Sequence, residues 1–265
     1  MNSFEKTPEK IAIEPLDCLA VAAHPDDAEL FAGGTLALAA RLGRRVGILD
    51  LTHGESATRG SADARAAEAA EATRILGLAA RETLDLGDAR LENSNEARRA
   101  VVEAIRRLRP RLILAPGPED RHPDHRRAHE LVRDAAFFAH VGNYPAAGPR
   151  WRVEAVAYYP GNTFNPEGRV DWVVDVSATF EIKLAALRAY PTQFLANAAE
   201  PHQDPQATYI ASADFWALIA SRSHVWGHRI GAAHGEPFLL DRPAHAHHPL
   251  AKLIMSAERE ARSVE

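Results

Sequence analysis

Two short stretches hold residues able to do chemistry together: "AHPDDAE" at 23–29 and "EDRHPDHRRAHEL" at 119–131. The first offers His24, Asp26, Asp27 and Glu29. The second offers His122, Asp124, His125 and His129. Imidazoles and carboxylates are the donors of a hydrolytic metal site, which uses about three protein ligands and leaves one position open for water. Such a site also needs a nearby base that is not a ligand. Two histidines and one aspartate suffice as ligands and leave an aspartate as base. Zinc suits these donors, as do Fe2+ and Co2+. Alone, each stretch also reads as a helix N-terminus, where aspartate is a favoured cap. Together they point to a site.

The elements that must position these loops read clearly. "LDCLAVAA" (16–23) is a fully buried strand, because it is apolar without alternation. A helix over 28–43 follows, ending at Gly43 and weakened at Gly33 and Gly34, where another backbone can come close. Strands over 45–52, 82–86 and 111–116 alternate with helices over 61–78, 94–110 and 125–139. Ser61 is the expected cap of the first of these helices, and Pro110 stops the second. This order predicts an α/β, Rossmann-like, doubly wound and mostly parallel sheet. In the strand order 3-2-1-4-5, strands 1 and 4 are neighbours at the switch point, and ligands bind beyond their carboxyl ends. The two His-Pro-Asp loops follow strands 1 and 4, so the topology brings them together.

The second half predicts a mixed α/β C-terminal extension. It has strands over 153–160 and 170–177, helices over 179–194 and 213–231, and a mobile loop over 195–209. Residues 1–15 read as a flexible arm, 16–242 as one domain and 243–265 as a polar tail.

Composition sets bounds on function. Of 265 residues, 46% are apolar and 25% charged, enough for a sizeable core. The net charge of −5 gives no basic surface for nucleic acid. No run approaches the roughly 18 apolar residues that span a bilayer. The one cysteine, Cys18, cannot form an internal disulfide and sits in a predicted buried strand, so a cytoplasmic protein with an inert thiol is expected. Strand 1 runs into "HPDDAELFAGG" rather than a G-x-G-x-x-G turn, and no G-x-S-x-G elbow occurs, which argues against dinucleotide binding and a serine hydrolase. His245, His247 and His248 read as part of a solvated tail. His224 and His228, four apart on a predicted helix, read as surface or packing residues. Arg59, Arg65, Arg121 and Arg152 are the basic residues expected near the loops and could pair with a carboxylate. From position alone each is an ordinary surface arginine, with Arg59 and Arg65 raised slightly by the loop after strand 2.

With these motifs in hand, the chain resembles the LmbE-like (PIG-L) family of metal-dependent N-acetylglucosaminide deacetylases. "AHPDDAE" and "HPDH" carry the resemblance. "VGILDLTHGESATRG", "RPRLILAPGPEDRHPDHRRA", "DWVVDVS", "AYPTQF" and "GHRIGAAHGEPF" extend it toward the bacillithiol-pathway branch, over roughly residues 16–242. Members of that branch act on N-acetyl-glucosaminyl-malate. The resemblance implies His24, Asp27 and His125 as ligands of one Zn2+ per subunit and Asp26 as general base. It implies His122, oriented by Asp124, as electrostatic and acid partner, and Arg65 and Arg152 on the substrate side. Arg59 is a further candidate for a carboxylate aglycone. A small glycoconjugate substrate and a homo-oligomer are expected, with no nucleic-acid or membrane partner. The family's mobile tyrosine corresponds to the region 207–216, where Phe215 is the nearest match and Tyr209 lies close. His234 stands where an aromatic residue is expected, as a change of packing. Other readings are the same chemistry on an inositol conjugate, a chitooligosaccharide or an antibiotic precursor; a phosphoesterase, which usually needs two metals; and a metal-binding protein without activity.

Overall fold

The computed structural model describes residues 14–161, 168–194, 208–243, 245 and 247–255. Residues 1–13 of the expected arm and 195–207 of the expected mobile loop lie outside them. The first half alternates as the sequence predicts: β1 (Cys18–Ala22), α1 (Asp27–Arg41), β2 (Val46–Asp50), α2 (Ala62–Leu76), β3 (Ala80–Thr83), α3 (Asn95–Leu108), β4 (Leu112–Pro116) and α4 (Pro123–Phe138). Then come β5 (Ala155–Tyr159), β6 (Trp172–Asp175), α5 (Phe180–Arg188), α6 (Ala213–His228), β7 (Gly235–Leu240) and α7 (Pro249–Ile254).

The strands form one sheet in the order β3-β2-β1-β4-β5-β7-β6. The pairs from β3 through β5 are parallel, while β7 runs antiparallel to both β5 and β6. The 3-2-1-4-5 core and the mixed C-terminal extension are therefore both present. Alternation along β1 feeds two cores. Cys18, Ala20 and Ala22 pack on the face covered by α1, α2 and α5, whereas Leu19 and Val21 pack on the face covered by α3 and α4. A strand buried on both faces has no solvent side, which is why "CLAVA" shows no polar alternation.

Local signals explain most boundaries. Ser61 and Ser94 cap α2 and α3 by accepting from the N–H of Ala64 and Ala97 at 3.2 and 3.1 Å. Gly43 turns the chain after α1 at φ 78°. At Gly34 it is side chains rather than another backbone that come close: a Cβ there would lie 2.8 Å from Val176 Cβ.

Four details depart from the sequence reading, the first being strand β7, where no strand was expected. Strand 3 forms at 80–83 rather than 82–86. The helix expected over 179–194 ends at Arg188, three residues before Pro191, whose ring disfavours helix just ahead of it. The stretch 243–265 was expected to be a polar tail, yet 249–254 form a helix whose Leu250 and Leu253 join the core. Its cap, His248, is buried, with the ring nitrogen Nδ1 accepting from the Leu250 N–H at 3.2 Å. Among the described residues, no helix is long and apolar enough to cross a membrane.

Candidate metal centre

The loop after β1 turns sharply into α1 at Asp26, which holds φ 119°. A non-glycine residue in that region is strained by about 1–3 kcal/mol and persists only where its surroundings fix it. Here Arg65, buried on α2, donates to the Pro25 carbonyl at 2.6 Å and to Asp26 Oδ2 at 3.2 Å. The next residue, Asp27, opens α1, where the helix N-terminus favours negative charge. On the neighbouring strand end, His122 caps α4, and its Nδ1 accepts from the Asp124 N–H at 3.2 Å.

These two helix starts meet. One Asp27 oxygen lies 3.3 Å from His24 Nδ1, and the other lies 3.1 Å from His125 Nε2. A tetrahedral ion with bonds of 2.0–2.1 Å keeps its ligand atoms about 3.3 Å apart. Each histidine thus stands at about that spacing from one Asp27 oxygen, and ligand atoms of His24, His122 and His125 lie within 4.8 Å of one another. His122 closes the group, with its ring centroid 4.8 Å from those of both His24 and His125. The far nitrogens are held by carboxylates. His125 Nδ1 is 2.8 Å from Asp120 Oδ2, and His24 Nε2 is 3.1 Å from Asp88 and 3.3 Å from Asp124. Such partners fix the tautomer and aim the other nitrogen at a cation.

The electrostatics point the same way. Burial opposes charge on His125, but Asp27 and Asp120 outweigh it and push its pKa up to about 9. For His24, too, carboxylates overcome burial and raise the pKa. The centre therefore favours positive charge. Asp27 is buried, yet His125 and His24 hold it below the usual carboxylate range. Asp26 goes the other way: burial pushes it up to about 7 despite Arg65. Two adjacent carboxylates with opposite shifts suit different tasks.

Of the eight groups first considered, six come together and two do not. Glu29 is buried below the centre, where Oε1 accepts from Arg81 Nη1 at 2.6 Å and the Tyr190 hydroxyl at 2.7 Å. His129 turns to the Pro116 carbonyl at 3.0 Å and packs on Tyr158. The expected orienting role of Asp124 is also different. Its backbone N–H meets His122, while its carboxylate Oδ2 takes the Ala89 N–H at 2.8 Å and faces His24.

A pocket of about 540 Å³ opens over the centre. Arg65 and Arg121 line it, with Arg121 exposed. Arg59 is half-buried beside it, its carbonyl accepting from Gln193. Arg152 is corrected: it precedes β5 and is exposed, whereas the site lies past the carboxyl end of the parallel strand β4. Tyr209 lines the pocket and is 53% exposed, while Phe215 is buried against Phe194. His224 bonds the Ala233 carbonyl, and His234 stacks on Phe180 at 3.8 Å, both packing roles as expected. Sequence reasoning missed Asp88 and Asp120. Asp120 lay in plain view two residues before His122, and Asp88 needed the sheet order to bring the loop after β3 inward.

At the switch point of this doubly wound sheet, His24, His122 and His125 stand close enough to share one cation, with Asp27 against His24 and His125. Comparison with known proteins gives the family. The model of PIG-L, GlcNAc-PI de-N-acetylase, matches residues 19–136, from β1 through α4, and so spans both site loops. The diacetylchitobiose deacetylase of Thermococcus kodakarensis is 33% identical over 191 residues, 66% of this chain and 69% of that protein. A 1D-myo-inositol 2-acetamido-2-deoxy-alpha-D-glucopyranoside deacetylase of Rhodococcus erythropolis is 29% identical, over 66% of this chain and 80% of that one. The crystal structure of the conserved protein TT1542 from Thermus thermophilus superposes with a TM-score of 0.77 at 38% identity, covering 87% of this chain and 96% of that one. The chain belongs to the PIG-L family.

Proposed function

We propose that the chain is a metal-dependent N-deacetylase that hydrolyses the acetamide of an N-acetylglucosamine moiety in a small glycoconjugate. The observation that carries this reading is Asp27 standing between His24 and His125, with the buried carboxylate of Asp26 next to it. In this reading His24, Asp27 and His125 hold one Zn2+ per subunit, and Fe2+ or Co2+ suit the same donors. The cation, when bound, polarises the amide carbonyl and acidifies water. Asp26 accepts a proton from the attacking water. Arg65 holds that carboxylate in place and tempers its proton affinity. His122 presents Nε2–H to the oxygen on which negative charge develops, because the Asp124 N–H occupies its Nδ1. Asp26 or His122 then delivers a proton to the departing amine nitrogen. Asp124 supports the imidazoles on both loops.

The finer reading is N-acetyl-alpha-D-glucosaminyl L-malate, as in bacillithiol biosynthesis. Arg121, on the pocket wall and exposed, is the cation placed to meet an aglycone carboxylate, with Arg59 beside it. Arg65 is committed to Asp26 and Pro25. A second reading, the same reaction on a chitooligosaccharide or an inositol conjugate, is favoured by what the named relatives act on. A cytoplasmic homo-oligomer completes the proposal. The test is acetate release by zinc-loaded protein from the malate glycoside, the inositol conjugate and diacetylchitobiose, with a metal-stripped control. Metal-dependent turnover of the malate glycoside alone supports the finer reading. Preference for either neutral glycoside replaces it with the second, and no metal-dependent release from any of the three overturns both.

A further inference from the structure

Behind the candidate centre, the C-terminal half of the chain backs one carboxylate, Asp120. Asp120 is buried, with a side chain only 1% exposed. Its Oδ2 lies 2.8 Å from His125 Nδ1, and its Oδ1 accepts the His122 N–H at 2.8 Å. One side chain thus ties down both His122 and His125. What lies behind it is equally specific. A Cβ built on Gly161 would come 1.6 Å from Asp120 Oδ2, so only glycine allows the chain after β5 to back this carboxylate. Arg222, on α6, donates to the Gly161 carbonyl at 3.0 Å and reaches the Pro160 carbonyl at 3.4 Å. Its guanidinium lies 5.3 Å from the Phe31 ring, whose edge faces His125 with 6.4 Å between centroids. Burial pulls the Arg222 pKa down, and the negative charge of Asp120 opposes that shift. Gly161 and Arg222 lie outside the segment 19–136 that the family model matches.

A histidine that gives its Nδ1–H to a carboxylate keeps the Nε2 lone pair for a cation and holds its ring in one orientation. We propose that Asp120, backed by Gly161 and Arg222, is the positioning carboxylate of His125 and sets the affinity of the centre for its divalent cation. The proposal rests on the reading of His24, Asp27 and His125 as the metal-holding set. Gly161 keeps Asp120 turned toward the ring. Arg222 fixes the carbonyl of Gly161 and adds a positive charge behind the carboxylate.

The test measures zinc affinity by chelator competition in the whole protein, with the tautomer of His125 read from its ring nitrogens by NMR. Asp120→Asn is expected to weaken zinc binding by about 10- to 100-fold, the usual effect of losing such a partner. The Nδ1–H signature of His125 is lost with it. Gly161→Ala shifts both readouts the same way by displacing the carboxylate. Arg222→Gln weakens binding, and Arg222→Lys restores part of the loss by returning the charge. A purely structural role would lower the melting temperature without changing the tautomer. If Asp120→Asn fails to fold, the Arg222 pair carries the test. Folded variants that bind zinc within twofold of the parent and keep the His125 signature overturn the proposal. A parent with no measurable zinc affinity overturns the metal-centre reading itself.

Discussion

Removing the Glu236 carboxylate is predicted to damage this fold more than removing its cationic partner. Glu236 lies on β7 and is 2% exposed. It accepts from the Gly34 N–H at 2.9 Å, the Thr35 N–H at 2.7 Å, the Thr35 hydroxyl at 2.6 Å and Lys183 Nζ at 2.6 Å. One side chain thereby joins α1, α5 and the late strand. Glu236→Ala strands three neutral donors and one buried ammonium. Breaking a buried ion pair from one side costs about 3–5 kcal/mol, so about 5 kcal/mol is expected with the other donors included. An adjacent cavity of about 30 Å³, lined by Lys183 and Glu236, admits a water and limits the loss. Lys183→Met breaks the same pair but leaves the carboxylate three donors, so it should fall at the low end of that range, about 3 kcal/mol. Urea unfolding followed by far-UV circular dichroism measures both. Equal losses, or a larger loss for Lys183→Met, would refute the idea that Glu236 is the hub.

Three further outcomes follow from the same contacts. Cys18 is fully buried in the central strand, and burial raises its thiol pKa well above the ordinary range. A thiol reagent is therefore expected to label it only as fast as the chain unfolds; rapid labelling of folded protein would contradict its placement. Gly34→Ala brings a methyl group against Val176 and Glu236 and should destabilise by about 1–3 kcal/mol in the same denaturation assay. Ser94→Ala removes the cap on the Ala97 N–H and should lower stability by about 1 kcal/mol without changing metal binding, measured by denaturation and chelator competition.

The sequence made the site legible because topology did most of the positioning. Unbroken apolar strands announced β1 and β4, and the doubly wound order put their ends side by side. The departures have physical causes. Strand β7 contains Pro237, which lacks an N–H and discourages a strand reading. Its register with β5 covers only Leu239 and Leu240, so Pro237 faces β6 alone. Arg152 was expected on the substrate side by resemblance, but strand direction places it before β5 and away from the strand ends. Tyr209 and Phe215 could not be separated by sequence, since only packing shows one in the pocket and the other in the core. Asp88 was invisible because its partner His24 lies across two loops.

The central claim is that a buried aspartate beside a one-cation centre performs hydrolysis. Its most direct test pairs two numbers for the parent and Asp26→Ala: zinc per subunit, and acetate released from an N-acetylglucosaminide in a single turnover. One zinc per subunit is expected in both proteins, with acetate release from the parent alone. Near-normal release by Asp26→Ala with its zinc in place would contradict the claim.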